Sequence, residues 1–576
     1  MNPNRATSTL LGIGWIAALS PCSCGSPAGD LFGSGNAAAA LSDPVSTASL
    51  AADPLFEAQL PIPPLLAPTS RDAGTDYYDI TIRSGSAQMR AGASTAIVGF
   101  DGITPGPTIL ATRGRTVQIT QTNAWTENVS IHNHGHKVAA ASDGHPTDYI
   151  APGSSKVYTY PNDQNAGTYW YHDHTLDLTG PHVYQGLAGF YIIRDPKEDA
   201  LKLPSGNYDI PLLIQDKRFN ADNSLSYEPG SLLGFLGDTA VVNGAVTPYL
   251  DVSTRQFRFR VLNGSNARPL ALQLRVAGSS TVEPFQVIAS DGGLLPSPIE
   301  VSVLPVAPAE RYDIVVDFAP YPVGTEIELI STDPRWAFAN SYSGEVYDGG
   351  YAGTRGRPGW TGAGGPGWSG YGGPGYGGPG YGGPGYASGG PGWGGHGGPN
   401  GSDVGWSDGT LWIGSEEVPV LTDLMQFVVA YSEPDPRPLR SELVDLQRLE
   451  LADAVGTQQI VFRLDGEDWT VNGLSYDPDR TDVSSELDQV YVWSVTNESP
   501  IPHPFHKHLS AFNVLDINGQ APPSFASGWK DTVMVPPFST VRILFKDETF
   551  SGTYVFQSHN LELEDHGLIL QERVGN

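Results

Sequence analysis

Three short motifs in this chain contain histidines separated by a single residue. They are Ile131-His132-Asn133-His134, Trp170-Tyr171-His172-Asp173-His174 and His503-Pro504-Phe505-His506-Lys507-His508. Because side chains alternate along a strand, a His-x-His pair in a strand places both imidazoles on one face, where they can offer two nitrogens to one metal cluster. A single pair would be explained as well by surface histidines. Three pairs in a chain with only 13 histidines indicate a metal centre.

A fourth histidine segment lies near the end of the sequence. Residues Gly552 to Phe556 are rich in aromatic and β-branched types, which predicts a strand, and a polar turn containing His559, Glu564 and His566 follows it. The turn adds an incomplete fourth member to the set of strand-end histidine motifs.

The elements that must position these motifs are short strands. Alternating segments such as Thr116 to Thr120 and Ala188 to Ile193 recur between glycine, proline and asparagine punctuation, which predicts an all-β chain of stacked sandwiches. A length of 576 residues is too great for one core. We predict three domains, at 71–200, 201–432 and 433–576, and expect the second to be a spacer because it contains no His-x-His pair.

Residues 344–410 interrupt the second predicted domain. They contain tandem Tyr-Gly-Gly-Pro-Gly copies from Tyr371 to Gly385, flanked by scattered tryptophans. Such a composition cannot bury enough apolar surface to offset its backbone entropy, so we predict a disordered Gly/Pro/Tyr-rich insertion.

The first 70 residues have the composition of a leader followed by a linker. An apolar run from Leu10 to Leu19 follows Arg5 and precedes Cys22 and Cys24, which predicts a signal peptide over 1–25 and an extracytoplasmic protein. Cys22 is also a candidate for lipidation, which would be the protein's only link to a membrane. Residues 26–70 are rich in Ala, Ser, Pro and Gly and are predicted to form a flexible tether.

Charge narrows the range of partners. The 62 acidic residues against 32 basic ones give a net charge of −30, which argues against binding to nucleic acid or to an anionic membrane surface. The acidic surface favours metal cations or cationic substrates, although keeping the protein soluble is the simpler explanation.

The order of the four histidine segments resembles the multicopper oxidases, most closely the bacterial spore-coat laccase and bilirubin oxidase group. The resemblance extends over nearly the whole chain from Asp101, through segments that include Pro105 to Thr108, Tyr184 to Phe190, Val242 to Gly244 and Gly528 to Thr532. It implies three cupredoxin-like domains, copper as the cofactor, and dioxygen with a phenolic or metal-ion substrate as partners.

The resemblance also implies a ligand set for three copper ions shared by the first and third domains. His132 and His506 would hold the type 2 copper. His134, His172 and His559 would hold one type 3 copper, and His174 and His508 the other. The family's eighth ligand falls on Gln557, whose amide is a poor copper ligand. Asp143 and Glu564 match two acidic residues that the family uses to move protons.

The family's type 1 site, which takes electrons from the substrate, matches poorly. It needs a thiolate, two imidazoles and usually an axial thioether, and these positions read His503, Ser558, Leu563 and Leu568. Only His503 remains, so we expect a degenerate, packed and dry site. The histidines at 136, 145, 182 and 566 have no assigned role.

Three functions fit these residues. The first is an exported copper-binding protein in which oxidation of phenols with reduction of dioxygen to water is impaired or absent. The second is a copper oxidoreductase that acts directly at the remaining cluster. The third is a copper-free structural or interaction protein. Seven remaining cluster ligands favour the first over the third.

Overall fold

The computed structural model describes residues 55–230, 233–332, 404–407, 410–413, 416–418, 421–435, 438–466 and 468–575. The predicted signal peptide, most of the predicted tether and most of the predicted insertion lie outside these residues. No helix in the described part of the chain is long and apolar enough to cross a membrane.

The described residues are organised almost entirely into strands. The strands are β1 (Ser70–Arg71), β2 (Thr75–Ala87), β3 (Thr95–Phe100), β4 (Gly106–Thr112), β5 (Thr116–Asn123), β6 (Ile131–His134), β7 (Ser155–Tyr160), β8 (Gly167–Asp173), β9 (Ala188–Arg194), β10 (Asp209–Lys217), β11 (Thr239–Val242), β12 (Ala245–Val246), β13 (Tyr249–Ser253), β14 (Gln256–Asn263), β15 (Leu270–Val276), β16 (Val282–Glu283), β17 (Phe285–Ser290), β18 (Gly293–Val301), β19 (Leu304–Val306), β20 (Arg311–Asp317), β21 (Glu326–Ser331), β22 (Val404–Ser407), β23 (Thr410–Ile413), β24 (Glu416–Val418), β25 (Asp423–Tyr431), β26 (Ala454–Asp465), β27 (Asp468–Val471), β28 (Val483–Glu486), β29 (Val490–Asn497), β30 (His503–Lys507), β31 (Phe512–Ile517), β32 (Trp529–Lys530), β33 (Thr532–Val535), β34 (Thr540–Lys546), β35 (Gly552–Ser558) and β36 (Ile569–Gly575).

Short helices connect some of these strands. Two are α-helical, α1 (Thr179–Gln185) and α2 (Leu561–Asp565), and the 3₁₀ turns are Ala140–Ser142, Pro196–Leu201, Gly206–Tyr208, Leu451–Asp453 and Ser524–Ala526. The all-β prediction is confirmed.

Three sandwiches account for most of the strands. The first pairs a sheet of order β1-β2-β5-β7, with β3 on β2, with a sheet of order β4-β9-β8-β6. The second pairs β12-β11-β10-β14-β20-β17-β18 with β13-β25-β21-β15-β16, and β19 joins β15. The third pairs β27-β26-β29-β34-β31-β32 with β28-β36-β35-β30-β33. Each sandwich has its own apolar core between its two sheets.

Strand alternation builds these cores in the way that the sequence pattern predicts. In β5, buried and half-buried residues alternate, with Val117 and Ile119 pointing inward. In β8 every residue is buried. Tyr169 and Tyr171 enter the core of the first sandwich, whereas Trp170 lies in a separate cluster on the other face. The cluster that contains Trp170 also contains Leu213, Leu262 and Ala309, so the second sandwich covers this face of β8.

Two stretches differ from the sequence expectations. Residues 55–70, predicted to end a free tether, are fixed by the backbone: Gln59 bridges Tyr249, and Leu65 bridges Thr108. Leu60 is buried in the core of the second sandwich, which explains why this stretch stays in place. Near the end of the predicted insertion, β22, β23 and β24 form a three-stranded antiparallel sheet, so residues 404–407 are a strand.

Candidate metal centre

Strand register brings the first two histidine motifs together. Antiparallel pairing of β6 with β8 sets His132 opposite His172 and His134 opposite Trp170. The His-x-His rule holds, because His132 and His134 lie on the same face of β6, and their rings are 5.6 Å apart between centroids. All four residues are buried.

The third sandwich supplies the histidines that face those of the first. Pairing of β30 with β35 sets His506 opposite Gln557, and His508 and His559 follow the ends of these two strands. Two rings of the third sandwich stack on two rings of the first sandwich. His508 lies on His132 and His506 lies on His134, each with 3.7 Å between ring centroids.

The remaining histidines complete one compact group. His559 lies 5.1 Å from His134 and 5.3 Å from His172 between ring centroids, and His174 lies 5.1 Å from His508. The structure therefore brings together all seven predicted cluster histidines. We call these residues the histidine cluster: His132, His134, His172, His174, His506, His508 and His559.

Hydrogen bonds fix the orientation of most of these rings. The Nδ1 atoms of His132, His172 and His506 face the backbone carbonyls of Asp143, Asp173 and Asp531 at 2.6, 2.8 and 2.8 Å. A carbonyl can only accept, so each Nδ1 carries the proton and each Nε2 keeps its lone pair. Those three Nε2 atoms are buried and have no hydrogen-bond partner among the described residues.

Carboxylates orient two further rings. His134 Nε2 lies 3.0 Å from Asp531 Oδ1, and His508 Nδ1 lies 2.8 Å from Asp143 Oδ2. The opposite nitrogens, His134 Nδ1 and His508 Nε2, have no partner among the described residues, and the same holds for both nitrogens of His559. Buried nitrogens without partners are costly unless something binds them, and outer partners that fix the tautomer are typical of metal-ligating histidines. This donor set fits copper, which imidazole suits.

Burial keeps these rings neutral. Desolvation, reinforced by the neighbouring imidazoles, holds the pKa of His132 well below its usual range, and it lowers the pKa of His506 to about 4. Neutral imidazole is the form that coordinates metal.

Gln557 and His174 form the exception within the group. The Gln557 side-chain amide donates to His174 Nε2 over 2.9 Å and lies 3.3 Å from Glu564 Oε2. His174 Nδ1 lies 3.5 Å from Glu564 Oε1. The lone pair of His174 is therefore occupied by the protein, unlike those of the other six histidines.

The two predicted proton-relay residues lie beside different histidines of the cluster, Asp143 beside His508 and Glu564 beside His174. Asp143 is buried and contacts His508, and burial raises its pKa to about 8. Glu564 lies in α2 and accepts a hydrogen bond from Thr179 Oγ1 over 3.0 Å. Burial, with the nearby Asp565, raises the pKa of Glu564 well above its usual range. Both residues can hold a proton at neutral pH beside a cluster histidine.

His503 lies apart from the cluster. Its Nε2 is 3.0 Å from Ser499 Oγ, and its Nδ1 is 3.2 Å from Ser558 Oγ. The rings of Phe462 and Trp469 lie 5.2 and 5.1 Å from that of His503 between centroids, and both belong to the hydrophobic core that also contains Leu563 and Leu568. Burial lowers the pKa of His503 to about 3.

The four histidines without an assigned role lie outside the cluster. His136 packs among the rings of Tyr160, Tyr169 and Tyr191. The other three are held by polar groups: His145 by Gln571, His182 by Asp173, and His566 by the backbone of Glu562.

Asp531 and Trp170 contribute to the site but were not predicted from the sequence. Asp531 holds His134 through its side chain and His506 through its backbone. Trp170 stacks on His172 with 4.2 Å between ring centroids. Trp170 begins the second histidine motif and Asp531 lies in the segment from Gly528 to Thr532, but neither an indole nor a single carboxylate has a spacing that would indicate a metal site.

Comparisons with known proteins agree with this geometry. Residues 81–198 and 453–576 each match a multicopper oxidase family model. The bilirubin oxidase of Albifimbria verrucaria is 32% identical, with 90% of this chain and 80% of that protein aligned. The laccase of Bacillus subtilis (strain 168) is 30% identical, with 89% and 97% aligned. The McoA multicopper oxidase of Aquifex aeolicus has a TM-score of 0.71 at 28% identity, with 91% of this chain and 100% of that chain covered.

Proposed function

Because the chain belongs to the multicopper oxidase family, whose cofactor is copper, we propose that it holds copper at the histidine cluster but has lost the electron-entry site. Oxidation of phenols or metal ions coupled to reduction of dioxygen is then impaired or absent. Copper held by the cluster would supply the chemistry of dioxygen binding and reduction.

The observation that carries the proposal is the contrast between two sets of nitrogens. All seven cluster histidines, contributed by the first and third sandwiches, present a buried ring nitrogen that lacks a hydrogen-bond partner among the described residues, and in six of them this nitrogen can carry the lone pair that a metal needs. His503 presents none, because Ser499 and Ser558 face both of its nitrogens. The first arrangement is built to receive a metal, and the second is already satisfied.

Loss of the electron-entry site follows from the chemistry of its ligands. A serine hydroxyl stays protonated at neutral pH and cannot replace the soft thiolate that a blue copper site requires. Leu563 and Leu568 are each at most 1% exposed, and they fill the coordination space with hydrocarbon. Neither leucine can take over the role of a second imidazole or of an axial thioether.

We propose that the three copper positions of the cluster differ in affinity. Of the three family positions, the type 2 position and the type 3 position with His559 keep all their ligands. The remaining position has Gln557 in place of a histidine, and the Gln557 amide occupies the lone pair of His174. Copper at this position should be the weakest bound.

Copper quantification on the purified, copper-loaded chain tests the proposal. We expect roughly two copper ions per chain to survive dialysis against a weak chelator, with a third that is lost first. The protein should lack the intense blue thiolate-to-copper band. A His506→Gln variant should lose copper, whereas a His145→Gln variant, altered outside the cluster, should keep it.

Two results would contradict the proposal. A copper content equal to background in the parent would favour a copper-free structural protein. An intense blue band would show that a thiolate-like electron-entry site exists after all.

We further propose that the protein works outside the cytoplasm and acquires its copper there. The apolar run from Leu10 to Leu19 and the following Cys22 support this proposal. Mass spectrometry of the exported protein should show cleavage close to Cys22, with or without an attached lipid, and an intact N-terminus would contradict export by this route.

A further inference from the structure

A buried arginine of the second sandwich is joined to the histidine cluster through one carboxylate. Arg311, the first residue of β20, is fully buried and donates from Nη1 to Asp531 Oδ1 over 2.7 Å and from Nη2 to Asp531 Oδ2 over 2.5 Å. This fork-to-carboxylate geometry is strong and directional. Arg311 Nε also donates to the backbone carbonyl of Thr168 over 3.0 Å. One side chain of the second sandwich therefore contacts the first and the third.

Asp531 in turn sets the protonation of two cluster histidines. Its Oδ1 faces His134 Nε2, which leaves the lone pair of His134 on Nδ1. Its backbone carbonyl faces His506 Nδ1, which leaves the lone pair of His506 on Nε2. These two rings stack on one another, so a shift of Asp531 would disturb both together.

The second sandwich also holds the backbone of Asp531. Asp291 Oδ2 accepts from the backbone N–H groups of Asp531 and Thr532, each over 3.2 Å. Asp291 Oδ1 accepts from the backbone N–H of Arg311 over 2.8 Å. Asp291 and Arg311 thus hold both the chain and the side chain of Asp531 from one side.

Close packing leaves Asp531 no room to move. Gly135, next to His134, has a φ of +83°, and a Cβ placed there would lie 2.4 Å from Asp531 Oδ2 and 3.0 Å from Arg311 Nη2. The ion pair lies directly against the glycine backbone. The ion pair of Arg311 with Asp531 is therefore held rigidly beside His134.

We propose that Arg311 is a positioning residue for the copper centre, acting from the second sandwich through Asp531 to orient His134 and His506. This role rests on the proposed function. It makes the second sandwich part of the metal site, whereas the sequence suggested only a spacer.

Substitution of Arg311, compared with a matched arginine, tests this role. Arg258 is also buried in the second sandwich and pairs with a buried carboxylate, Asp313 of β20, but Asp313, unlike Asp531, makes no hydrogen bond to a cluster histidine among the described residues. Arg311→Lys, Arg311→Gln and Arg258→Lys would be compared with the parent. The measurements are copper affinity by chelator competition, the Cu(II) electron paramagnetic resonance spectrum, and the unfolding temperature of the metal-free proteins.

We expect copper affinity to fall roughly 10- to 100-fold in both Arg311 variants, and less in Arg311→Lys than in Arg311→Gln. The type 2 signal should change in both. Arg258→Lys should lower the unfolding temperature to a similar extent while leaving affinity and spectrum unchanged. A merely structural role would instead make copper affinity follow the unfolding temperature in all three variants.

The result that overturns the proposal is parental affinity and spectrum in the Arg311 variants, or an equal loss of affinity in Arg258→Lys. If the parent itself binds no copper, the proposed function is refuted, and the positioning role with it. If the parent binds copper and the Arg311 variants bind it equally well, only the positioning role is refuted.

Discussion

Rebuilding the electron-entry site that we propose to be lost is the most demanding test of that proposal. The triple change Gln557→His, Ser558→Cys and Leu563→His would supply the missing eighth cluster ligand, a thiolate and a second imidazole. The positions suit this purpose, because Ser558 Oγ already lies 3.2 Å from His503 Nδ1 and Leu563 is buried in the core whose Phe462 and Trp469 rings pack against His503. Leu568 can stay, because an axial ligand tunes the redox potential rather than holding the metal.

The cost of this variant without metal can be worked from the buried contacts. Ser558→Cys removes a buried hydrogen bond to His503, worth about 0.5–1.5 kcal/mol. Leu563→His leaves an imidazole without a partner in hydrocarbon, which costs about 1–3 kcal/mol. These two changes should therefore make the metal-free variant less stable than the parent by roughly 1.5–4.5 kcal/mol, before any loss of the Gln557 hydrogen bonds to His174 and Glu564. Free copper at about a thousand times its dissociation constant would stabilise the folded variant by about 4 kcal/mol.

The assay combines thermal unfolding, with and without copper, and visible absorption. The copper-loaded triple variant should regain most of the lost stability, gain the blue thiolate band and oxidise a phenol with consumption of dioxygen. The double variant Gln557→His, Leu563→His, which keeps Ser558, is the control and should stay colourless. A triple variant that takes up copper without a blue band would refute the reasoning, because it would show that His503 and residues 558 and 563 do not converge on one point.

Four further predictions follow from individual contacts. Gln557→His alone should tighten the weakest copper position, because it removes the amide that occupies His174 Nε2; unchanged affinity for the last copper would contradict this. Removal of copper from the parent by a chelator should lower its unfolding temperature, and readdition should restore it. Gly135→Ala should reduce copper binding, whereas Gly153→Ala, at a similar φ of +76° with no atom within 4 Å of its Cβ, should not; equal effects would point to backbone strain alone. Burial lowers the pKa of Lys217 to about 7, so the unfolded chain binds more protons between about pH 7 and pH 10 and stability rises with pH there. Relative to Lys217→Met, the free energy of unfolding of the parent should rise by roughly 2–3 kcal/mol between pH 7 and pH 9, as measured by denaturant unfolding. A stability difference between the two proteins that does not change with pH would contradict the lowered pKa of Lys217.

The sequence predicted the parts of the site that depend on local periodicity. A period of two along β6 is enough to place His132 and His134 on one face, and the same rule applies to His506 and His508. Apolar alternation likewise predicted the sandwiches, since Val117 and Ile119 in β5 follow it. These features need only the residues of one strand.

Features that depend on two distant segments were harder to predict. Stacking of His508 on His132 is a contact between two sandwiches, and no spacing within either motif encodes it. The family resemblance predicted that these segments meet and that Gln557 stands at the eighth ligand position, but it did not predict the hydrogen bond from Gln557 to His174, which depends on the register of β35 against β30. Residues 55–70 show the same limit, because a composition typical of linkers does not reveal that Leu60 has a place in another core.

The second sandwich illustrates how a domain without ligands can still determine a metal site. Tautomers at His134 and His506 are decided by where Asp531 places one carboxylate oxygen and one carbonyl oxygen. Asp531 stands in a strand connection of the third sandwich, which alone would leave its side chain free to turn. The guanidinium of Arg311 removes that freedom because it binds both carboxylate oxygens at once. The cluster therefore depends on all three sandwiches, and the absence of histidine pairs from the second does not make that sandwich a spacer.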